Sequence, residues 1–365
     1  MRNRLSATAL LAAAVWSLPA AAVENDFLGL LRARDLTTFG FLRLDMRPAH
    51  AIHAPKGTWA IEAELAHQNT WALSSGARDY LESLPGRRPL GPEEVSAILA
   101  LPGENYVFDM ELAELDLTFH YKFADRWGGY LVLSGVHYGG GFMDGAIENF
   151  HEAFGFEDNG RPAVRRDDVN IIADLKRANM AFTRAPTSGG MLDPTIGVRY
   201  SSDEQVRGWS WVLEAAAKLA FRRRENLIST GRTDYGLQAT LQRFGDHHAW
   251  YVSGSAVYYD GRTSMTPTDP RIVPTLVVGY EKHLTPQTHV ILQGYASASV
   301  YSHEDTDLGE LLDMKYQLSI GIYRRMGRGV ISFAVTENLQ NFNNTPDVGM
   351  QLGWAFSPAL ATGKN

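Results

Sequence analysis

The sequence contains no cysteine, and beyond its first residues it has no apolar run long enough for a spanning helix. A transmembrane helix needs about 20 consecutive apolar residues, so this absence and the mean hydropathy of −0.20 exclude a multi-helix membrane protein. Without cysteine there is no disulfide scaffold and no thiolate metal site. The catalytic motifs Gly-x-Ser-x-Gly and His-Glu-x-x-His and the phosphate-binding loop are also missing. The sequence therefore predicts no cofactor.

Basic residues are in the minority, with 34 lysines and arginines against 41 aspartates and glutamates. The formal net charge is −7. An acidic chain repels the phosphate backbone, so we expect no nucleic-acid partner.

The N-terminus has the pattern of a Sec-type signal peptide. Arg2 and Arg4 make a basic start, residues 5–18 are apolar, and residues 19–22 give a small-residue cleavage site. We predict that residues 1–22 are removed during export.

Strict alternation of apolar with polar or small residues runs through most of the remaining chain. The final example, residues 347–356, and the cleanest, residues 113–123, each have one apolar and one polar face. Runs of about ten residues, separated by turn residues and ending in aromatics, are typical of transmembrane β-barrels. A soluble sandwich also alternates, but its strands usually have five or six residues.

The connection lengths predict the topology. Long and short connections alternate, as expected for outer loops and periplasmic turns, provided that residues 139–191 form one outer loop. We therefore predict an all-β fold, an antiparallel transmembrane barrel of about 12 strands over residues 59–356. Its long extracellular loop carries a short helix and a small hairpin near residues 169–184, and residues 357–365 form a short tail.

The polar faces of these strands predict a wet lumen, because unpaired charges are too costly in a dry core. Such a lumen is either an ion-pair network that closes a narrow barrel or a selectivity lining. The candidate lining residues are Glu62, Glu64, Glu114, Asp116, His120, Lys122, Arg199, Glu214, Lys218, Glu281, Lys315 and Arg325.

Residues 23–58 show no clean period. We expect them to form a segment at or inside the periplasmic mouth. The alternative is an additional strand at residues 38–46.

A short amphipathic helix is predicted over residues 144–155 of the long loop. Asp144 follows a glycine-rich break and is a plausible N-cap, and Gly155 is a plausible stop. The apolar residues Ile147 and Phe150 recur at helical spacing, as does Phe154. We expect this face to pack inward over the barrel mouth, where the helix either controls entry or only caps the loop. Candidate gate residues are Asp144, Ile147, Glu148, Phe150, His151, Phe154 and Arg161.

Residues 141–155 read Gly-Phe-x-Asp-x-x-Ile-Glu-x-Phe-His-x-x-Phe-Gly, and Arg161 follows them. This pattern resembles the domain-of-unknown-function 3187 family of bacterial exported proteins. Residues 188–194 also resemble that family, although Met191-Leu192 departs from its usual Gly-Leu-Gly-Asp. The resemblance implies an outer-membrane barrel and assigns no activity or site residues.

Three classes of function follow from these patterns. A passive channel or transporter for small solutes or hydrophobic compounds is favoured, and a non-conducting barrel that binds a partner is the alternative. A lipid hydrolase needs a serine beside a histidine, and Ser134 is near His120, His137 and His151 in the sequence alone. His247 and His248 are expected in an exposed turn. The expected partners are the outer-membrane bilayer and the barrel assembly machinery.

Overall fold

The computed structural model describes residues 27–38, 40–48, 56–185, 188–202, 208–221, 228–259, 271–340 and 343–357. The predicted signal peptide lies outside these residues, as does the predicted tail apart from Ser357. No helix within the described ranges is both long and apolar enough to cross a membrane.

The described residues form a closed antiparallel barrel of twelve strands, which confirms the predicted fold. The described residues contain fifteen strands, of which all but β4, β5 and β6 form the wall of the barrel. In chain order they are β1 Trp59–Leu73, β2 Asn105–Tyr121, β3 Trp127–Gly139, β4 Asn170–Leu175, β5 Ala178–Phe182, β6 Gly189–Met191, β7 Thr195–Ser201, β8 Gly208–Lys218, β9 Asp234–Phe244, β10 His248–Tyr259, β11 Arg271–Thr285, β12 Thr288–Ser297, β13 Lys315–Met326, β14 Gly329–Gln340 and β15 Val348–Phe356. β1 pairs with β15, with Ile61 opposite Phe356, and this pairing closes the ring. β4 and β5 form the predicted hairpin, and β6 is a short strand beside β3.

The apolar and polar residues that alternate in the sequence alternate between the outer and the inner face of the barrel wall. On β9 the polar side chains of Gln238, Thr240 and Gln242 are buried, whereas Tyr235 and Leu237 are exposed. A soluble protein has the opposite arrangement. An apolar outer surface around a polar interior is the arrangement of a transmembrane barrel.

The two ends of the barrel differ. The short turns lie at one end, called here the turn end, together with Trp59 and Phe356. The opposite, loop end carries the long connections, which contain the helices α1 Ser75–Ser83, α2 Pro92–Leu99, α3 Asp144–Phe154 and α4 Gly309–Leu312. Only α3 was predicted from the sequence.

Helix α3 ends at Gly155, which has the left-handed φ of 73° that glycine adopts at low cost. The predicted N-cap is wrong by one residue. Met143 occupies the cap position, and Asp144 begins the helix with its carboxylate in other contacts.

Candidate functional site

The N-terminal segment lies inside the barrel. Residues 27–38 and 40–48, named here the interior segment, contain no strand, so the alternative of a strand at residues 38–46 is wrong for their described part. Near the turn end, the backbone N–H groups of Leu28 and Gly29 donate to the Glu281 carboxylate, each at 2.9 Å. Near the loop end, the Leu44 N–H donates to Asp234 at 3.0 Å. The segment thus extends through most of the lumen.

A cluster of carboxylates on β1 and β2 binds this segment. The guanidinium of Arg34 donates to Glu64 and Asp116, and all three side chains are buried. Arg47 lies 2.6 Å from Asp116, and both arginines lie 3.7 Å from Glu114. Acidic side chains so close together need cations between them. The interior segment provides those cations.

Lysines on two other strands of the wall, β8 and β13, bind the same segment. Lys315 Nζ lies 2.5 Å from Asp35, and Lys218 Nζ donates to the Leu42 carbonyl at 2.8 Å. Arg32 of the segment in turn donates to Glu62 at 2.9 Å. Charges of both signs on the wall are therefore matched by charges on the segment.

The remaining lumen candidates line a narrow wet space beside the segment. Arg199 pairs with Glu214 at 2.7 Å, and the Tyr130 hydroxyl donates to the same carboxylate at 2.7 Å. His120, which lies 3.5 Å from Glu62, borders two cavities of about 60 and 70 Å³. Such volumes hold a few water molecules each.

The second cavity contains Lys122 and opens toward the turn end. Arg325 is half-buried at the same end, on the lumen-facing series of β13.

Glycines on the inner wall allow the segment to approach closely. A Cβ added to Gly236 would lie 2.7 Å from Met46 Cγ, and one added to Gly279 would overlap Leu30. Apolar residues of the segment, Leu36 and Phe41 among them, also pack with Tyr138 near the loop end. The interior segment therefore matches the lumen in shape as well as in charge.

The part of the long loop that carries α3 lies on the outside of the wall, whereas its β4–β5 hairpin packs with the interior segment at the loop end. Asn69 alternates with the lumen-facing Gln68, so its side chain points outward, and it donates to Asp144 at 3.1 Å. The buried Arg161 joins Asp144 at 2.5 Å and Asp347 at 2.7 Å. These contacts attach α3 to the upper part of β1 and the start of β15.

Glu148 is a second attachment point for α3. It accepts hydrogen bonds from Arg87 at 2.8 Å and from Arg166. Burial alone raises the pKa of the Glu148 carboxyl, but these two guanidinium groups outweigh it and hold the pKa below its ordinary value. The carboxylate is therefore charged at neutral pH and keeps both arginines in place.

The expected inward packing of α3 is wrong for two of its three apolar residues. Ile147 is buried, whereas Phe150 and Phe154 are 46% and 57% exposed and form an aromatic cluster with Phe156. The neighbouring Phe142, 66% exposed, stacks on His67. His67 lies one outward position above the lipid-facing Leu65. The prediction assumed that water surrounds the loop, so that the barrel mouth was the nearest apolar surface for these side chains. A lipid bilayer around the barrel is a second apolar surface.

A probe at position 154 is therefore expected to report an apolar environment in lipid. The chain has no cysteine, so Phe154→Cys and Glu152→Cys each carry a single environment-sensitive fluorophore. In vesicles we expect the emission of the probe at 154 to shift to shorter wavelength and to be quenched by brominated lipid, whereas the probe at the exposed position 152 is not. Equal emission from both positions would contradict a lipid contact.

The histidines do not form a hydrolase site with Ser134. The Ser134 hydroxyl donates to Asp116, His151 pairs with Asp158 at 2.8 Å, and His137 is exposed on the outer face of β3. His247 is half-buried, and its Nδ1 has no solvent contact, so its expected exposure is wrong. His248 is exposed as expected.

Sequence reasoning missed Arg32, Arg34, Asp35 and Arg47 as site residues. A signal was present, because Glu62, Glu64, Glu114 and Asp116 occupy one face of two adjacent strands and require cations. The pattern does not say which cations those are.

Comparison with known proteins gives one family and a set of solved barrels. The family described as protein of unknown function (DUF3187) matches residues 94–357. No curated protein matches the chain. An outer-membrane channel from Pseudomonas putida F1 superimposes with a TM-score of 0.51 at 9% identity, over 86% of this chain and 100% of that one.

Two further solved barrels superimpose less well. The KdgM porin, in complex with disordered oligogalacturonate, gives a TM-score of 0.39 at 6% identity over 81% of this chain and 98% of its own. The toluene transporter TodX of P. putida gives 0.36 at 8% identity, over 83% and 89%.

Proposed function

The chain belongs to the DUF3187 family of proteins of unknown function, and we propose that its barrel is an outer-membrane channel or transporter for small solutes, closed by the interior segment. The observation that carries the proposal is that the segment fills a polar lumen through ion pairs and hydrogen bonds, such as those of Arg34 with Asp116 and of Lys315 with Asp35. Water in a wet lumen can replace such contacts at modest net cost. The fold shared with an outer-membrane channel supports the same proposal.

Displacing the segment changes the charge of the lumen. Arg32, Arg34 and Arg47 leave with it, and the carboxylates on β1 and β2 then face the open space. A lumen wall of exposed carboxylates favours cations and disfavours anions. We therefore propose neutral or cationic small solutes as the class that passes.

Export and assembly are part of the same proposal. Removal of residues 1–22 by a signal peptidase and insertion by the barrel assembly machinery fit a barrel of this kind, and we propose no catalytic residue.

The second candidate function is a non-conducting barrel. The cavities of about 60 and 70 Å³ beside the segment favour it, because each has room for only a few water molecules. The two candidates differ in whether the segment moves.

A reversible disulfide tests that movement. An added Cβ at Gly236 lies 2.7 Å from Met46 Cγ, so cysteines at the two positions have Cβ atoms roughly 4 Å apart, within disulfide range. In planar bilayers the oxidised Met46→Cys/Gly236→Cys protein is expected to be silent. Reduction is expected to restore the openings seen in the unmodified protein.

The single variants Met46→Cys and Gly236→Cys are the controls, because neither can be locked. Openings that persist in the oxidised double variant would show that the segment is not the gate. An unmodified protein that never conducts, although folded, would favour the non-conducting barrel.

A further inference from the structure

Two histidines face each other inside the barrel at its turn end. His283 on β11 and His289 on β12 are directly opposed in the strand register, and both are lumen-facing. Their rings are 4.0 Å apart, and both side chains are fully buried. Phe27 of the interior segment covers them, with its ring 4.2 Å from that of His283. His283 has no hydrogen bond to the segment among the described residues, and His289 is linked to it through Glu281.

The ring nitrogens of this pair are poorly satisfied. Within the described residues, neither Nδ1 nor Nε2 of His283 has a hydrogen-bond partner, and Nε2 of His289 has none either. Buried polar atoms almost always have a partner, because leaving one without costs about 1–3 kcal/mol. Three such atoms on two adjacent rings therefore require an explanation.

Glu281 determines which nitrogen of His289 is available. The Nδ1 of His289 lies 2.5 Å from the Glu281 carboxylate, so the proton stays on Nδ1 and the lone pair is on Nε2. The carboxylate itself is held by the Leu28 and Gly29 N–H groups and by the Tyr251 hydroxyl at 2.7 Å. A carboxylate that orients a histidine in this way is the usual outer contact of a metal-binding imidazole.

We propose that His283 and His289 bind a divalent transition-metal ion of the zinc class. Ring nitrogens of His283 and His289 lie within 4.8 Å of each other and of a Glu281 oxygen. The two imidazoles are therefore close enough to converge on one ion after small ring rotations, with Glu281 as the outer contact of His289. Imidazole nitrogens select zinc, nickel, cobalt or copper over magnesium and calcium, which prefer oxygen.

His247 is next to this pair through the backbone but is not one of the converging donors. The backbone N–H of His283 donates to the His247 carbonyl at 3.0 Å, and the buried His247 Nδ1 lacks a partner among the described residues. The donor atoms that lie within 4.8 Å of one another belong to Glu281, His283 and His289. The proposed ion therefore has two imidazole ligands.

Zinc binding by the full-length protein tests the site. The protein is purified in detergent without a histidine tag, treated with chelator and titrated with Zn²⁺, and the bound metal is counted by mass spectrometry. We expect one zinc per chain. We expect His283→Gln and His289→Gln each to weaken binding at least tenfold, whereas His248→Gln, an exposed neighbour, leaves it unchanged.

Two measurements separate ligand loss from misfolding. Each variant is checked for the heat-dependent gel mobility of a folded barrel, and the unmodified protein is examined by zinc X-ray absorption. Scattering from two imidazoles supports the site even where a variant does not fold. Oxygen-only coordination, or zinc binding that survives both substitutions, would overturn it.

A Glu281→Gln variant tests the orienting role of the carboxylate. Loss of an outer contact to a metal-binding histidine weakens affinity by about 10–100-fold, and we expect a change in that range with the same number of imidazoles in the X-ray spectrum. The site does not depend on the channel proposal. Zinc binding is measured at equilibrium and does not require conductance. A folded barrel that binds one zinc but never conducts would contradict the channel proposal and leave the zinc site supported.

Discussion

Replacing Arg34 with alanine is expected to raise the open probability of the channel on the order of a hundredfold. The substitution leaves Glu64 and Asp116 buried in the closed state without their main partner. Breaking a buried ion pair costs about 3–5 kcal/mol, and each 1.4 kcal/mol changes an equilibrium about tenfold. We take the low end of that range because Arg47 still pairs with Asp116. In the open state water solvates the same carboxylates, so the cost falls on the closed state.

Single-channel recording in planar bilayers measures this effect. Arg34→Lys keeps the charge but loses the guanidinium group that contacts two carboxylates at once. We therefore expect a smaller rise in open probability. Arg165→Ala removes an exposed pair with Asp168 far from the lumen and should change nothing. A folded Arg34→Ala barrel with unchanged open probability would show that the charged cluster does not hold the segment in place.

Replacing Arg161 with alanine is expected to release α3 from the wall. Arg161 binds Asp144, Asp347 and the Asn69 side chain, and its guanidinium lies 5.1 Å above the Trp71 ring. Its loss leaves the buried Asp144 and the half-buried Asp347 without their cation, again at about 3–5 kcal/mol. Local opening of the helix is then favoured by about a hundredfold or more.

Hydrogen exchange followed by mass spectrometry detects this release. We expect the amides of residues 144–154 to exchange about a hundredfold faster, while those of the wall strands keep their rates. Arg165→Ala is again the matched control. Since α3 lies outside the wall, we expect the conductance of Arg161→Ala to equal that of the unmodified protein. A large rise in conductance would indicate that α3 acts as a gate.

The wall was predictable because each strand carries its own signal. The alternation on β2 and β9 records which side of the wall each residue occupies, and no distant contact is needed to read it. Gly155 likewise marked the end of α3 through a local backbone requirement. Connection lengths then supplied the strand count.

The interior segment was less predictable because its conformation depends on the wall around it. Its described part has no strand or α-helix, so no period marks it, and the partners of Leu28 and Leu44 are 253 and 190 residues away. Phe150 and Phe154 were misplaced for a different reason. Helical spacing identifies an apolar face but not the surface that the face contacts. That surface depends on where the loop lies relative to the wall.

The distance along the chain between the segment and its anchors has a consequence for the order of assembly. Contacts between residues so far apart form late, because they must close a long stretch of chain. Glu281, Gln293 and Lys315 belong to β11, β12 and β13, which follow the segment by more than 200 residues. The interior segment is synthesised before these strands and therefore finds its full set of partners only after they have formed. A wall that lacks β11 to β13 cannot hold the interior segment in place, so we expect the lumen to be filled only after these strands have joined the ring.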